Sequence, residues 1–176
     1  THHALNAHLT MPVLTFWPFQ VNRTYATRLR ADGSRHAANL PGLMTALDQL
    51  EAATGPVTLV IGHNDLLAAN ILDDGAKLWL IDWEYGGFNT PLFDLAGLAG
   101  NRFSEAQETD MLAQYFGVPA TTHWRAYQAM KCISLMRETL WSMTSEIHSS
   151  LNFDYAAYTL ENMGRLDAAL QDFQNT

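Results

Sequence analysis

The sequence has little cysteine, little lysine and no long apolar run. Its single cysteine, Cys132, excludes an internal disulfide and suits a reducing cytoplasm, where we expect the protein to lie. Cys132 stands in a helical pattern, so we expect it to fill the core rather than to act as a nucleophile. No apolar stretch approaches the roughly 20 residues that cross a bilayer. Residues 1–5 lack the pattern of a secretory signal, and we expect no membrane insertion.

Positive charge is also scarce. Lys77 and Lys131 are the only lysines, and the formal net charge of the 176 residues is −8. Sequence-independent binding to nucleic acid needs a basic surface, so we expect no nucleic-acid partner. Acidic clefts attract cations, which makes a small cationic substrate compatible with this charge. Hydrophobic content of 48% and charged content of 16% are typical of a folded chain with one good core or two small ones.

The apolar spacing predicts an α+β fold that is mainly helical. A short strand over Val57–Ile61 is followed by a β-hairpin whose strands flank a turn at Asp74-Gly75. Ser104 and Gln107 have the spacing of a capping box at the start of a helix that Gly117 closes. Residues 10–19 carry two prolines around aromatic residues, which suggests a packed loop. The predicted helices cover residues 1–10, 38–53, 91–101, 104–116, 122–149 and 155–173.

The most informative segment is IGHNDLLAAN at residues 61–70, followed by IDWE at residues 81–84. It places a carboxylate at Asp65, a carboxamide at Asn70 and a second carboxylate at Asp82. Phosphoryl transfer needs one group that orients the attacking hydroxyl and two oxygen ligands that hold magnesium against the nucleotide phosphates. We assign the first role to Asp65 as catalytic base, and the metal to Asn70 and Asp82. The structural alternatives are a loop Asp in a turn and an Asn that caps it.

Two further residues, one inside this segment and one after it, have supporting roles. We group His63 with the catalytic residues, and we expect it to orient the loop by hydrogen bonding rather than to perform acid–base chemistry. Asp94 lies near the start of a predicted helix, where a carboxylate is favoured, and we expect it to brace the loop from behind. Asn64 cannot pair with a phosphorylated activation loop as an arginine would, so such regulation is not suggested.

The motifs resemble those of the choline/ethanolamine kinase family, within the aminoglycoside-phosphotransferase-like kinases. The resemblance rests on residues 61–70, on LIDWEYGG at 80–87, on PLFDLA at 91–96 and on the aromatic residues of 140–158. It implies a protein-kinase-like C-terminal lobe and transfer of the γ-phosphate of ATP, with Mg²⁺, to the hydroxyl of choline or ethanolamine. It also implies an acceptor site of aromatic rings and carboxylates, for which the candidates are Glu84, Tyr85, Glu138, Trp141 and Tyr158.

Such a family member has an N-terminal β lobe with a lysine that grips the phosphates, and we see no pattern for that lobe in this sequence. Residues 1–176 therefore form one expected C-terminal lobe, divided into a helical and loop segment (1–55), the catalytic loop and hairpin (56–88) and a helical acceptor-binding part (89–176). Lys77 and Lys131 stand in the wrong context for the phosphate-gripping role. We expect weak nucleotide binding and little activity from these residues alone, and a possible homodimer through a bare apolar surface.

The sequence leaves the acceptor open. Glu138 would bind a primary ammonium better than trimethylammonium, whereas the aromatic residues favour a quaternary ammonium through cation–π contacts. Related phosphotransferases that act on an aminoglycoside, a sugar or a thiamine-like alcohol are alternatives within enzymes. A non-catalytic lobe that binds a cation is the alternative outside them, although Asp65, Asn70 and Asp82 oppose it.

Overall fold

The computed structural model describes residues 2–10, 12–100 and 103–176. This part of the chain is mainly helical with small antiparallel β-elements, as predicted. The helices are α1 (His2–Ala7), α2 (Pro18–Ala31), α3 (Leu40–Thr54), α4 (Pro91–Ala99), α5 (Glu105–Phe116), α6 (Trp124–His148) and α7 (Tyr155–Gln174). The strands are β1 (Val60–Gly62), β2 (Ile71–Asp73), β3 (Leu78–Leu80) and β4 (Gly87–Asn89). In the described ranges, no helix combines the length and apolar character needed to cross a membrane.

Helix α6 is the centre of the core and packs against α2, α3, α4 and α7. Its buried residues run from Tyr127 to Met143 and are mainly apolar. Cys132 is fully buried on this helix, as expected of a core residue. Burial raises the pKa of its thiol to about 12, which leaves the nucleophilic thiolate scarce at neutral pH.

Two pairs of short strands position the loops. Strand β1 pairs with β4 in antiparallel register, with Gly62 opposite Gly87. Strands β2 and β3 form the predicted hairpin, with Gly75 at a φ of 84° in its turn. The hairpin closes at its base because the Ile81 amide donates to the Asn70 carbonyl at 3.0 Å. The chain therefore enters the hairpin after Asn70 and comes back beside Asn70 at Ile81, one residue before Asp82.

Local signals were more reliable than general patterns. The capping box of Ser104 and Gln107 is formed, and Gly117 closes α5 at a φ of 67°. By contrast, α1 ends earlier than predicted, and the predicted strand from Val57 begins only at Val60. The predicted end of α4 at residue 101 lies outside the described residues.

Helix α2 was not predicted. The helix starts at Pro18, inside the stretch that we expected to be a packed loop. Phe19 of this stretch is fully buried. The helix was hard to recognise because a buried position is polar. The side-chain nitrogen of Asn22 donates to the carbonyls of Pro18 and Ile133, while its buried Oδ1 has no hydrogen-bond partner among the described residues. A polar residue therefore interrupts the apolar periodicity inside the core.

Candidate active site

The loop that follows β1 is anchored by Asp94. The backbone amides of His63 and Asn64 each donate to one oxygen of this carboxylate at 2.7 Å. Asp94 lies in the first turn of α4, has a side chain only 1% exposed, and also contacts Nε2 of His2 at 2.9 Å. Its two oxygens hold consecutive amides, so the direction of the chain entering the loop is set from the buried side. The bracing role proposed for Asp94 from the sequence stays a prediction, and these two hydrogen bonds are the contacts on which it rests.

Asn64 holds the next part of the loop in an unusual conformation. Its φ of 64° lies in the left-handed region, which asparagine tolerates better than most residues. The side-chain amide donates to the Tyr85 carbonyl at 2.9 Å and to the Gly87 carbonyl at 3.2 Å, and its oxygen accepts from Asn89 at 2.9 Å. Both ends of the side chain are therefore bound to the segment that follows Asp82, and the two loops form one unit.

His63 connects the same two loops. Its Nε2 lies 2.7 Å from the carbonyl oxygen of Ile81, the residue before Asp82, and its ring centroid is 4.6 Å from that of Trp83. The ring is buried, and Nδ1 has no hydrogen-bond partner among the described residues. His63 thus links the two loops through its ring, and its role in orienting them stays a prediction.

Asp65 makes a buried ion pair with Arg137 of α6. Nη1 of Arg137 donates to Oδ1 of Asp65 at 2.8 Å, and the side chains are 8% exposed for Arg137 and 19% for Asp65. The guanidinium carbon also lies 4.6 Å from the centroid of the Tyr85 ring. Burial alone would lower the pKa of Arg137, but the Asp65 carboxylate raises it above the ordinary value, so the guanidinium stays charged.

Sequence reasoning did not identify Arg137. A signal was present, because Arg137 is a cation inside the strongly apolar stretch of α6 that includes Leu135 and Met136. Arginine is rarely buried unless it has a partner, so its position called for a carboxylate elsewhere in the fold. The partner, Asp65, is 72 positions away, and no local pattern indicates that contact.

Asn70 and Asp82 lie on the two ends of the hairpin that the Asn70–Ile81 hydrogen bond closes. Nδ2 of Asn70 donates to the Asp65 carbonyl at 2.9 Å, which leaves the amide oxygen as the atom available to a ligand. Asp82 has an exposed side chain on a backbone with a φ of 62°. No group of three or more His, Cys, Asp or Glu side chains that could hold a metal occurs among the described residues.

The side chains of Asn70 and Asp82 are of the kinds that bind magnesium. An amide oxygen and a carboxylate are its preferred kinds of ligand. Magnesium commonly takes one or two protein ligands and completes its coordination with water and substrate phosphates, so a larger acidic cage is not required.

A small cavity of about 240 Å³ opens beside Asp65. Its wall is formed by the loop at residues 64–69 and by α4, α6 and α7. It includes Asp65, Phe93, Ser134, Glu138, Tyr158 and Arg165. The Tyr158 hydroxyl donates to Oε1 of Glu138 at 2.6 Å. Burial, together with this bond to Glu138, raises the pKa of Tyr158 to about 12, so the phenol remains a donor at neutral pH.

The predicted aromatic box is not assembled around this cavity. Tyr158 and Glu138 line it, but Glu84, Tyr85 and Trp141 do not. Trp141 lies one turn beyond Glu138 on α6, where it packs edge-on against Tyr155 with centroids 5.9 Å apart. The Tyr85 ring instead lies against the Arg137 guanidinium, and Glu84 is exposed. The expectation that Trp141, Tyr85 and Tyr158 share one cation site stays a prediction: Tyr158 lines this cavity, whereas the rings of Trp141 and Tyr85 pack on other side chains.

Comparison with known proteins identifies the family. A model of the choline/ethanolamine kinase family matches residues 13–114, more than half of the chain. The chain belongs to the choline/ethanolamine kinase family. The match includes the loop of Asp65 and Asn70, the hairpin, Asp82 and Asp94.

Individual relatives agree with this assignment. The chain is 30% identical to human ethanolamine kinase 2 over 147 residues, which covers 69% of the chain and 36% of that protein. It is 28% identical over 128 residues to protein LicA of Haemophilus influenzae, covering 70% of the chain and 47% of LicA. The chain spans about half the length, or less, of the curated relatives it matches.

Solved structures show the same fold. A choline/ethanolamine kinase family protein from Mesorhizobium loti superposes with a TM-score of 0.82 at 26% identity, covering 93% of the chain and 58% of that structure. The aminoglycoside phosphotransferase APH(4)-Ia superposes with a TM-score of 0.61 at 20% identity, a likeness in fold. The expected kinase-like fold is therefore confirmed.

Proposed function

We propose that this protein takes part in Mg²⁺-dependent transfer of the γ-phosphate of ATP to the hydroxyl of a small amino alcohol, choline or ethanolamine. One observation carries the proposal: the Asp65 carboxylate, held by a buried arginine, lines a small cavity directly beside the segment that bears Asn70 and Asp82. The family to which the chain belongs supports the same reaction class.

Asp65 positions the acceptor in this proposal. Arg137 binds Oδ1, which fixes the carboxylate plane and leaves Oδ2 to accept a hydrogen bond from the acceptor hydroxyl. Alignment of the hydroxyl with the phosphate contributes more than removal of its proton, because phosphoryl transfer passes through a loose transition state. His63 and Asp94 keep the loop in place, and neither has to exchange a proton with substrate.

Asn70 and Asp82 would hold the magnesium ion that accompanies ATP. An ion held there would supply positive charge against the negative charge that develops on the phosphates. Asn70 has its amide nitrogen committed to the Asp65 carbonyl, so any ligand at its oxygen is fixed relative to the base. The metal-binding and acceptor-binding parts of the site are thereby joined through one backbone group.

Neither lysine of the chain serves the cavity. Nζ of Lys77 lies 3.5 Å from the ring centroid of Trp79 on the hairpin, and Lys131 pairs with the buried Glu108 at 2.5 Å. A lysine that grips the nucleotide phosphates is therefore not provided by the described residues. We propose that they form the lobe that binds acceptor and metal, and that their activity without a phosphate-gripping lobe is low.

Cavity size favours a small acceptor over the larger alternatives. Small-molecule sites commonly measure roughly 300–1,000 Å³, so a space of about 240 Å³ suits an acceptor of a few heavy atoms. An aminoglycoside or a thiamine-like alcohol would need a larger opening. This preference for small acceptors is tested by a screen for transfer of labelled phosphate from ATP to amino alcohols, sugars and aminoglycosides.

The proposal is tested with Asp65→Asn in a full-length protein that includes the phosphate-gripping lobe, in an ATP-dependent phosphorylation assay with choline and ethanolamine. We expect kcat to fall by roughly 10²–10⁴-fold, the usual contribution of a positioned acid–base group. The matched control is Asp167→Asn, which makes the same change on the exposed surface of α7 and should leave kcat unchanged. An Asp65→Asn variant as active as the wild type contradicts the assignment. Ligand binding in calorimetry without any response to magnesium nucleotide would instead support a non-catalytic cation-binding protein.

A further inference from the structure

The two carboxylates of the cavity differ in how their charge is balanced. Asp65 is neutralised by Arg137 at 2.8 Å. Glu138 takes part in none of the ion pairs formed by the described residues, and its hydrogen-bond donor is the neutral hydroxyl of Tyr158. Glu138 is partly buried and lines the cavity, so its charge is incompletely solvated. Arg137 acts on Glu138 electrostatically but makes its hydrogen bond to Asp65 instead. A cationic ligand would supply the direct partner that Glu138 lacks among the described residues.

The other charged group of the wall is already engaged. Nη2 of Arg165 donates to the Gly100 carbonyl at 2.8 Å, and its Nη1 donates to the side-chain oxygen of Asn162 at 3.3 Å. These contacts tie Arg165 to α4 and α7 rather than to Glu138. Glu138 therefore forms the negative end of the cavity. Tyr158 binds its Oε1, so its Oε2 is left to accept from a ligand.

Aromatic surface in the cavity is limited. Phe93 and Tyr158 are the two aromatic residues in its lining. A trimethylammonium group has no N–H to donate and depends on several ring faces for its binding. A primary ammonium has three N–H groups and binds a carboxylate with charge-assisted hydrogen bonds. The lining thus suits the second group better than the first.

We propose that Glu138 is the specificity-determining residue of the acceptor site and selects amino alcohols with a primary ammonium over those with a quaternary one. This inference rests on the proposed function, because it takes Asp65 as the group that receives the acceptor hydroxyl. The ammonium donates to the free oxygen of Glu138 while the hydroxyl donates to Asp65. Ethanolamine, with two carbons between its amine and its hydroxyl, is the simplest such acceptor.

The experiment compares ethanolamine, N-methylethanolamine, N,N-dimethylethanolamine and choline as acceptors with MgATP. We expect kcat/KM to fall along the series and to drop by at least about tenfold between ethanolamine and choline, since each methyl removes a donor and adds bulk. A choline value equal to or higher than that of ethanolamine overturns the proposal.

Variants assign the preference to the residue. Glu138→Gln keeps an oxygen for the Tyr158 hydroxyl and removes the charge, so we expect the fold to persist and kcat/KM for ethanolamine to fall roughly 100-fold. The value for choline should change by less than about threefold. Glu138→Asp should restore part of the preference. The control Glu161→Gln, on the exposed face of α7, should leave both acceptors unchanged.

A binding measurement separates failure of this inference from failure of the proposed reaction. Calorimetry with ethanolamine hydrochloride and choline chloride, without nucleotide, should show tighter ethanolamine binding that Glu138→Gln abolishes. If phosphorylation is undetectable but this preference is present, the proposed reaction fails and Glu138 still recognises the amine. If both acceptors are phosphorylated and Glu138→Gln affects them equally, the reaction stands and the selectivity of Glu138 is refuted.

Discussion

The ion pair between Asp65 and Arg137 should be strongly coupled and yet contribute little net stability. Its two groups lie 2.8 Å apart and are mostly shielded from solvent. Withdrawing both charges from water has a large desolvation cost, which their attraction offsets only in part. The Nε atom of Arg137 adds to this cost because it is buried without a hydrogen-bond partner among the described residues. We therefore predict that the pair is more sensitive to loss of one partner than to loss of both.

The magnitudes follow from the effective dielectric constant. Two unit charges about 4 Å apart attract by about 4 kcal/mol at an effective dielectric constant of 20, and by about 1 kcal/mol in water. Asp65→Asn leaves a buried guanidinium without a counter-charge and should cost about 3 kcal/mol. Arg137→Met should cost about 1–3 kcal/mol, because Asp65 borders the cavity and regains water. The double variant should lie within about 1 kcal/mol of the wild type.

Urea unfolding followed by tryptophan fluorescence measures the four free energies and gives the coupling energy as their non-additivity. We expect a coupling of about 3–5 kcal/mol for Asp65 and Arg137, the two single costs less that of the double variant. The control pair is Arg23 and Asp48, which has a similar N–O distance of 2.7 Å but side chains that are 34% and 70% exposed. Its coupling should stay below about 1 kcal/mol. Equal couplings in the two cycles, or a double variant as unstable as the sum of the singles, would refute the reasoning.

Three further predictions concern single residues. Gly62→Ala should lower activity and cost about 1–3 kcal/mol of stability in thermal melts, because the new Cβ would lie 3.2 Å from the Asp94 carboxylate. The control is Gly164→Ala, which has open space around the new Cβ and should stabilise α7 by about 0.5–1 kcal/mol in the same melts. Asp82→Asn should raise the Mg²⁺ concentration for half-maximal activity by at least about tenfold, and an unchanged magnesium titration would argue against its role as a ligand. The Cys132 thiol should react with a disulfide reagent at pH 8 only after unfolding. Because its folded pKa of about 12 exceeds the ordinary 9.0, it contributes stability below pH 9 that is lost towards pH 12, at up to about 1.4 kcal/mol per pH unit in urea titrations.

The parts of the fold that sequence reasoning predicted well are those that local chemistry specifies. The hairpin depends on Asp74, whose carboxylate accepts from two amides of its own turn, and on Gly75 with its positive φ. The start of α5 depends on Ser104 and Gln107, which satisfy each other's backbone amides. Each motif contains its own partners within a few residues, so the sequence alone is sufficient to recognise it.

The parts that were missed depend on contacts between distant segments. Arg137 is meaningful only beside Asp65, and Asn22 is tolerated in the core only because a carbonyl of α6 accepts its amide. The surroundings of the predicted aromatic residues could not be predicted for a related reason. Helical spacing places Trp141 on the same side of α6 as Glu138, but it does not show that Tyr155 packs against the indole. Spacing gives the direction of a side chain, and the neighbouring helix decides which space it fills.

The backbone conformation at Asp82 limits which residues can occupy this position, independently of the proposed metal-binding role of the side chain. In the described residues, Asn64 and Asp82 are the non-glycine positions with positive φ, and such conformations persist only where the surroundings enforce them. At Asp82 they do, because the preceding residue is held by hydrogen bonds to His63 and Asn70. Glycine would accept this backbone but offer no ligand, and glutamate would offer a carboxylate but accept the backbone poorly. Aspartate meets both demands, so the geometry of the loop restricts position 82 nearly as strongly as magnesium chemistry would.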